Sequence, residues 1–306
     1  MKRVDIKIGY LCNNQCSFCV QGDRRKTLGN KPGNEIKAAI KKAKKACAAI
    51  VFTGGEATLR GDFFELVSYA KDLGFKSIQI QTNGRMFAYL DFCRKAILAG
   101  ATEFSPALHG DTAKLHDLLT NAPGSFKQTL EGIRNLKKLG QRVLTNTVIT
   151  SKNYKRLPAI ARLLVSLGVD QFQFAFIHIA GTADKNKDWI VPKKFQIMPY
   201  VKKGLDIGIK AGKQVMTEAI PYCLMSGYEG YVAEDIIPEG QVVEYTGVIE
   251  DYSAFRKKYG KGKTASCRHC VYFKRCEGPW KEYPALFGWE EFKPVLKLSN
   301  SLNLKH

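Results

Sequence analysis

No run of eighteen apolar residues occurs in this 306-residue chain, so no stretch is long enough to cross a bilayer as a helix. The opening residues, Met1-Lys2-Arg3-Val4-Asp5-Ile6, lack the apolar core of a secretory signal and lead straight into a strand-like pattern. These two absences predict a cytoplasmic protein with no membrane partner. No self-similarity recurs at the period of a solenoid, and no interleaved aromatic and basic motif of an RNA-binding module is present. Acidic residues are in short supply: 28 Asp and Glu face 48 Lys and Arg, for a net charge of +20. In a chain without a secretory signal, nine cysteines argue for metal or redox chemistry over a disulfide framework.

The length allows a sizeable core, built as one barrel-type domain with an extension or as two domains. Basic residues crowd into Arg24-Arg25-Lys26, residues 37–45, Arg256-Lys257-Lys258, Lys261-Gly262-Lys263 and Lys274-Arg275. That excess is compatible with an anionic substrate or nucleic acid, with an acidic protein partner, or with a solvated surface alone.

Over the first 220 residues, short β-branched runs alternate with amphipathic stretches, the pattern of βα units around a parallel sheet. Strands are expected at 4–10, 50–53, 77–82, 103–107, 142–149 and 171–176, and helices at 35–46, 63–73, 89–99, 126–139 and 157–167. Gly74, Gly100, Gly140 and Gly168 each follow a helical run, as C-terminal caps do. Six such units predict an α/β fold, a partial (β/α)6 TIM-type barrel whose active site lies at the C-terminal ends of the strands. A last helix is expected at 195–211 and a further strand at 215–218. After Cys223 the pattern changes to a Gly-, Tyr- and acid-rich stretch with a hairpin expected around Pro238-Glu239-Gly240. The division expected is a barrel over 1–218 and a cysteine-rich extension over 219–306, with the last ten polar residues loose.

Seven of the nine cysteines fall in two clusters. The first, Cys12-x3-Cys16-x2-Cys19, lies on the loop after the first strand. Three thiolates there can hold three corners of a cubane iron–sulfur cluster and leave one iron open to a small molecule; a zinc knuckle or three unrelated thiols is the plainer alternative. The run Cys12-Asn13-Asn14-Gln15-Cys16-Ser17-Phe18-Cys19 resembles the signature of the radical S-adenosylmethionine (radical SAM) enzymes. The resemblance implies a 4Fe-4S cluster on Cys12, Cys16 and Cys19 that binds S-adenosylmethionine (SAM) and cleaves it reductively, giving a 5′-deoxyadenosyl radical that abstracts hydrogen from a substrate. It also implies an acidic electron donor such as a flavodoxin or ferredoxin.

Thr53-Gly54-Gly55-Glu56, at the end of the second strand, resembles the family's Gly-Gly-Glu segment. Its glycines permit close backbone approach, and its carboxylate would accept from the SAM ammonium group. Phe18 matches the aromatic position beside the adenine. Gln79, Gln81 and Asn83 recur at period two on the third strand, so they share one face, read here as lining the SAM and substrate cavity. Where many relatives place a serine this chain has Ala107, and where relatives with a pair matching His116-Asp117 often carry an arginine it has Thr120. Asn146 and His109 are the candidate substitutes for SAM contacts, with His109 equally readable as a packed histidine. His178 closes the sixth strand in a region that lies near the adenine in relatives.

The second cluster, Cys267-x2-Cys270-x5-Cys276, is preceded by Cys223. Four thiolates can ligate either a structural zinc or a second 4Fe-4S cluster. The spacing resembles part of the SPASM extension, and four cysteines suit its shortened, single-cluster twitch form. Cys47 and Cys93 read as buried core thiols. The aromatic stretch from Trp280 to Trp289 is expected either to pack round the auxiliary cluster or to form the extension's own core. The resemblance implies a peptide or protein substrate or, alternatively, a small anionic metabolite or a nucleic acid. No leader-recognition domain is expected before the first strand. An iron–sulfur or zinc carrier without SAM activity is the reading from another class.

Overall fold

The computed structural model describes residues 2–237 and 239–297. Nine strands form one sheet: β1 (Arg3–Lys7), β2 (Ala49–Thr53), β3 (Ser77–Thr82), β4 (Glu103–Pro106), β5 (Arg142–Ile149), β6 (Gln171–Phe176), β7 (Gln214–Glu218), β8 (Gly240–Val243) and β9 (Val248–Ile249). Their spatial order is β7-β6-β5-β4-β3-β2-β1-β8-β9, all neighbours parallel except the final hairpin. Among the described residues the two ends do not pair, so the barrel is open. The outer layer holds α1 (Gly33–Lys44), α2 (Phe63–Asp72), α3 (Leu90–Ala99), α4 (Ala113–Thr120), α5 (Ser125–Lys138), α6 (Leu157–Ser166) and α7 (Lys194–Lys210).

The alternation in each strand explains the layering. On β3, Ile78, Ile80 and Thr82 are buried beneath the helices, while Ser77, Gln79 and Gln81 face the interior and keep solvent access. The apolar stripes of the helices (Ile36 and Ile40, Leu66 and Val67, Ile133 and Leu136, Ile160 and Leu164) join that outer face in one core. The cap glycines 74, 100, 140 and 168 all have positive φ, from 71° to 116°. Cys47 and Cys93 are core thiols, 3% and 0% exposed. Among the described residues, no helix is long and apolar enough to cross a membrane.

The hairpin lies later than expected. Glu239 precedes β8, and the turn falls at 244–247, where the Glu244 N–H donates to the Gly247 carbonyl at 2.8 Å; Pro238 is outside the described residues. Gly240 serves instead to let β8 lie against β1, since a Cβ there would sit 2.6 Å from the Arg3 carbonyl oxygen. Of the polar last ten residues, all but Lys297 lie outside the described residues.

Candidate active site

The chain leaving β1 and the chain leaving β2 touch backbone to backbone. The Gly55 N–H donates to the Gly9 carbonyl at 2.9 Å and the Glu56 N–H to the Leu11 carbonyl at 2.7 Å. A Cβ on Gly54 would lie 2.2 Å from the Gly9 carbonyl oxygen, and one on Gly55 would lie 2.3 Å from that of Tyr10. Only glycine fits at either position. This contact fixes where the Cys12–Cys19 loop begins.

The rest of the loop is braced from several elements. Gln15 and Ser17 donate their N–H groups to the carbonyls of Thr120 and Leu119 at the end of α4, at 2.8 and 2.9 Å. Arg85 reaches the Asn13 carbonyl and the Asn14 side chain, and Arg25 reaches the Asn14 carbonyl. The Thr182 N–H and the Asn186 side chain hold the carbonyls of Cys19 and Ser17, both at 2.8 Å. Thr120 is buried, its hydroxyl bonded to the His116 carbonyl and to Ser125. At this position the chain carries a structural brace instead of a charged side chain. Arg85, Thr182 and Asn186 carried no sequence signal, because each acts from far along the chain; Arg25 was visible only as part of a basic run.

Cys12, Cys16 and Cys19 are half-buried free thiols. Burial pushes the Cys12 thiol up to about 11. It raises Cys16 further, with Cys19 and Cys12 adding to the rise as near neighbours. The Asn14 N–H donates to the Cys12 sulfur at 3.4 Å. Further along the chain, Cys223, Cys267, Cys270 and Cys276 line one pocket together with Phe273 and Trp289, whose empty space, open mouth included, is ≈ 410 Å³. Burial, with the three other sulfurs adding to it, pushes the Cys223 thiol up to about 12. Backbone N–H groups of Gly278 and Val295 donate to the sulfurs of Cys276 and Cys270, both at 3.3 Å. Among the described residues, no group of three or more His, Cys, Asp or Glu side chains is arranged to hold a single metal ion. The second set lines one pocket, and four thiolates are a donor set that a 4Fe-4S cluster accepts.

Glu56, 3% exposed, accepts from the Thr58 N–H and hydroxyl, the Thr82 hydroxyl and the Asn83 N–H. Three of these donors fall on Oε1, so Oε2 keeps an accepting direction free. Burial raises its pKa, and the donors oppose that rise. Asn83 also ties its side chain to Asn13 at 2.6 Å, joining β3 to the cysteine loop. Phe18 meets His109 edge-on at 4.6 Å. His109 Nδ1 accepts the Val148 N–H, which assigns the proton to Nε2, and the His109 N–H goes to His116 Nδ1 at 3.1 Å. Burial holds His109 well below the ordinary histidine range, with His116 adding to the depression, and brings His116 down to about 4. Asn146 Oδ1 is buried without a donor among the described residues, an orphan that a ligand hydroxyl or amine would satisfy.

The structure thus gathers Gly54, Gly55, Glu56 and Asn83 with the cysteine loop, and Phe18 with His109. Asn146 lies on the neighbouring strand, bridged to Ala107. Gln79 and Gln81 stand on the interior face of β3. The His178 ring stacks on Trp280 at 4.1 Å, with Nε2 3.8 Å from Glu282.

A three-cysteine loop seated by two obligatory glycines, at the C-terminal mouth of an open parallel barrel, defines an enzyme that binds a cofactor at the strand ends. The family model of the Radical SAM superfamily matches residues 6–164, over half of the chain, and the chain belongs to that superfamily of enzymes. The AdoMet-dependent heme synthase of Methanosarcina barkeri is 25% identical over 87% of this chain and 87% of its own length. The probable GTP 3′,8-cyclase of Sulfurisphaera tokodaii is 28% identical over 58% of this chain, and that match spans 56% of the relative. Among solved structures, Streptococcus suis SuiB bound to S-adenosylmethionine has a TM-score of 0.68 at 15% identity, covering 96% of this chain and 76% of SuiB. SuiB bound to its precursor peptide SuiA gives 0.66 at 15% identity, over 99% and 76%. At that identity the likeness is one of fold.

Proposed function

We propose that this chain is a peptide- or protein-modifying radical SAM enzyme with two 4Fe-4S clusters, one on Cys12, Cys16 and Cys19 in a barrel over 1–218, the other on Cys223, Cys267, Cys270 and Cys276 in an extension over 219–306. When bound, the first cluster and SAM supply a 5′-deoxyadenosyl radical for hydrogen abstraction, and the second offers a route for the electron left on the product. The chain's own residues set the geometry. Glu56 Oε2 and the Gly54-Gly55 backbone meet the SAM amino group; the His109 Nε2–H donates and Asn146 Oδ1 accepts; Phe18 flanks the adenine. The neutral state of His109 keeps it a donor without placing a second positive charge beside a sulfonium. Gln79 and Gln81 line the barrel interior that receives the substrate. His178, held by Trp280, ties the mouth of the barrel to the extension. An acidic flavodoxin or ferredoxin would dock on the basic face of Arg24, Arg25 and Lys26, next to the cysteine loop.

The observation that carries this reading is the convergence of four sulfurs around one pocket in an extension that packs back on the barrel. There the Tyr283 hydroxyl accepts the Lys194 N–H at 2.6 Å. The peptide substrate draws support from SuiB, whose structure holds its precursor peptide over the same fold. A small-molecule substrate is the second reading, favoured by the heme synthase relative with its equal coverage of both chains. Anaerobic reconstitution tests the proposal. Brown protein with about eight irons per chain, releasing 5′-deoxyadenosine from SAM on reduction, supports it. About four irons removes the auxiliary cluster, and colourless protein or intact SAM removes the enzyme reading.

A further inference from the structure

At the C-terminal end of β7 the interior face of the barrel meets the extension in a set of buried charges that the SAM chemistry does not use. Glu218 shares the interior face of β6 and β7 with Gln173, whose amide is its side-chain partner. Glu234, with 8% of its side chain exposed, places Oε1 on the Ala219 N–H at 2.9 Å and on Lys261 at 2.5 Å. Its Oε2 is enclosed and has no donor among the described residues. The two carboxylates are near enough for Glu234 to add to the raised pKa of Glu218, which burial dominates.

The cations around them already have partners. Arg256 is taken in a fork by Glu277 at 2.6 and 2.7 Å, and Lys261 is divided between Glu234 and Glu277. Arg3 pairs with Asp5, and Lys7 with Glu244. Lys194 is 1% exposed, donates to the Ala219 carbonyl at 2.8 Å, and lies 3.1 Å from the centre of the Phe176 ring. Burial pulls its pKa down, with Lys261 adding to the fall. Among the described residues Glu218 therefore has no salt bridge, its side-chain partner being the Gln173 amide, and the enclosed Glu234 Oε2 has no hydrogen.

We propose that Glu218 and Glu234 form a substrate subsite for a cationic group, a primary ammonium or a guanidinium, where the barrel meets the extension. This deepens the reading above and rests on it, since it takes the substrate to lie between those two parts. A cation with N–H donors supplies both missing elements at once. A polyphosphate or polycarboxylate would face repulsion here, although the chain as a whole is strongly positive. The cation can come from a lysyl or arginyl side chain of a peptide or from a free amine.

Isothermal titration of the reconstituted, SAM-loaded enzyme separates these cases. The probes are Nα-acetyl-lysine N-methylamide, its neutral norleucine counterpart and cadaverine. The lysine probe is expected to bind at least tenfold more tightly than the norleucine probe, and Glu218→Gln and Glu234→Gln are each expected to erase that difference. Equal binding of the norleucine probe, no binding of any cation, or unchanged discrimination in Glu218→Gln would overturn the subsite. Loss of SAM binding in Glu218→Gln would also overturn it, by placing the carboxylate in the cofactor site. Should Glu234→Gln fail to fold without its full charge against Lys261, the partly exposed Glu218 carries the test alone. Cadaverine binding as tightly as the lysine probe supports the cationic subsite and counts against a peptide substrate. SAM cleavage by the same preparations reports separately on the radical chemistry.

Discussion

Lowering the pH from 7 to 5 should weaken the fold through the His109–His116 pair. His116 has a folded-state pKa of about 4, brought down by burial from an ordinary 6.5. Between these values the unfolded chain binds a proton that the folded chain refuses, so stability is full above about pH 6.5 and falls as the pH drops toward 4. Integrating that single titration gives a loss of about 2 kcal/mol between pH 7 and pH 5. His109, also depressed by burial and by its neighbour, adds a loss of the same sign. The buried carboxylates Glu56 and Glu218 have raised pKa values and act in the opposite direction. The informative quantity is therefore the difference between wild type and His116→Gln, a variant whose amide oxygen can still accept the His109 N–H. Urea unfolding of the iron-free protein at pH 5, 6 and 7 measures it. With a slope of about 3 kcal/mol per molar, wild type should lose about 0.7 M more in midpoint than the variant over that range. Parallel pH profiles would refute the argument and show His116 to be solvated in solution.

Gly55→Ala should cost several kcal/mol or prevent folding, because the added Cβ meets the Tyr10 and Leu11 carbonyls at 2.3 and 2.4 Å; thermal unfolding checks this, and iron retention should fall with it. Cys16→Ala should abolish 5′-deoxyadenosine release while leaving about half of the iron, counted by inductively coupled plasma spectrometry. Cys270→Ala should show the converse, losing about half of the iron but keeping reductive SAM cleavage. Thr120→Val removes the hydroxyl bonded to the His116 carbonyl and to Ser125, and should destabilise by about 1–2 kcal/mol in denaturant titration.

Much of the barrel was legible because its strands advertise both faces. β3 and β5 alternate strictly between a buried outer face and a more exposed inner one, and their bounds in the structure coincide with those expected from the sequence. β1 was overread at its end. Ile8 and Tyr10 continue the buried alternation, but the backbone there has left the strand ladder to meet Gly29 and the chain after β2. β8 was missed because four residues starting with glycine carry little periodic signal, and the contact that makes them a strand lies at Arg3. The same distance problem hid His178's partner, Trp280, which no local pattern connects to it. The cysteine spacing and the Gly-Gly-Glu segment were readable since their constraint is short-range chemistry. The braces on the loop were not, being contributed by α4, by Arg85 and by the segment near 182–186.

The parallel seat of β8 on β1 has a consequence for how the chain comes to be folded at all. β1 cannot be flanked on both sides until more than two hundred later residues have been synthesised. Until then its hydrogen-bonding edge stays open to chance pairing with other nascent chains. A fragment ended after residue 218 would keep that liability permanently, so shortened versions made to isolate the front part should aggregate more readily than the parent.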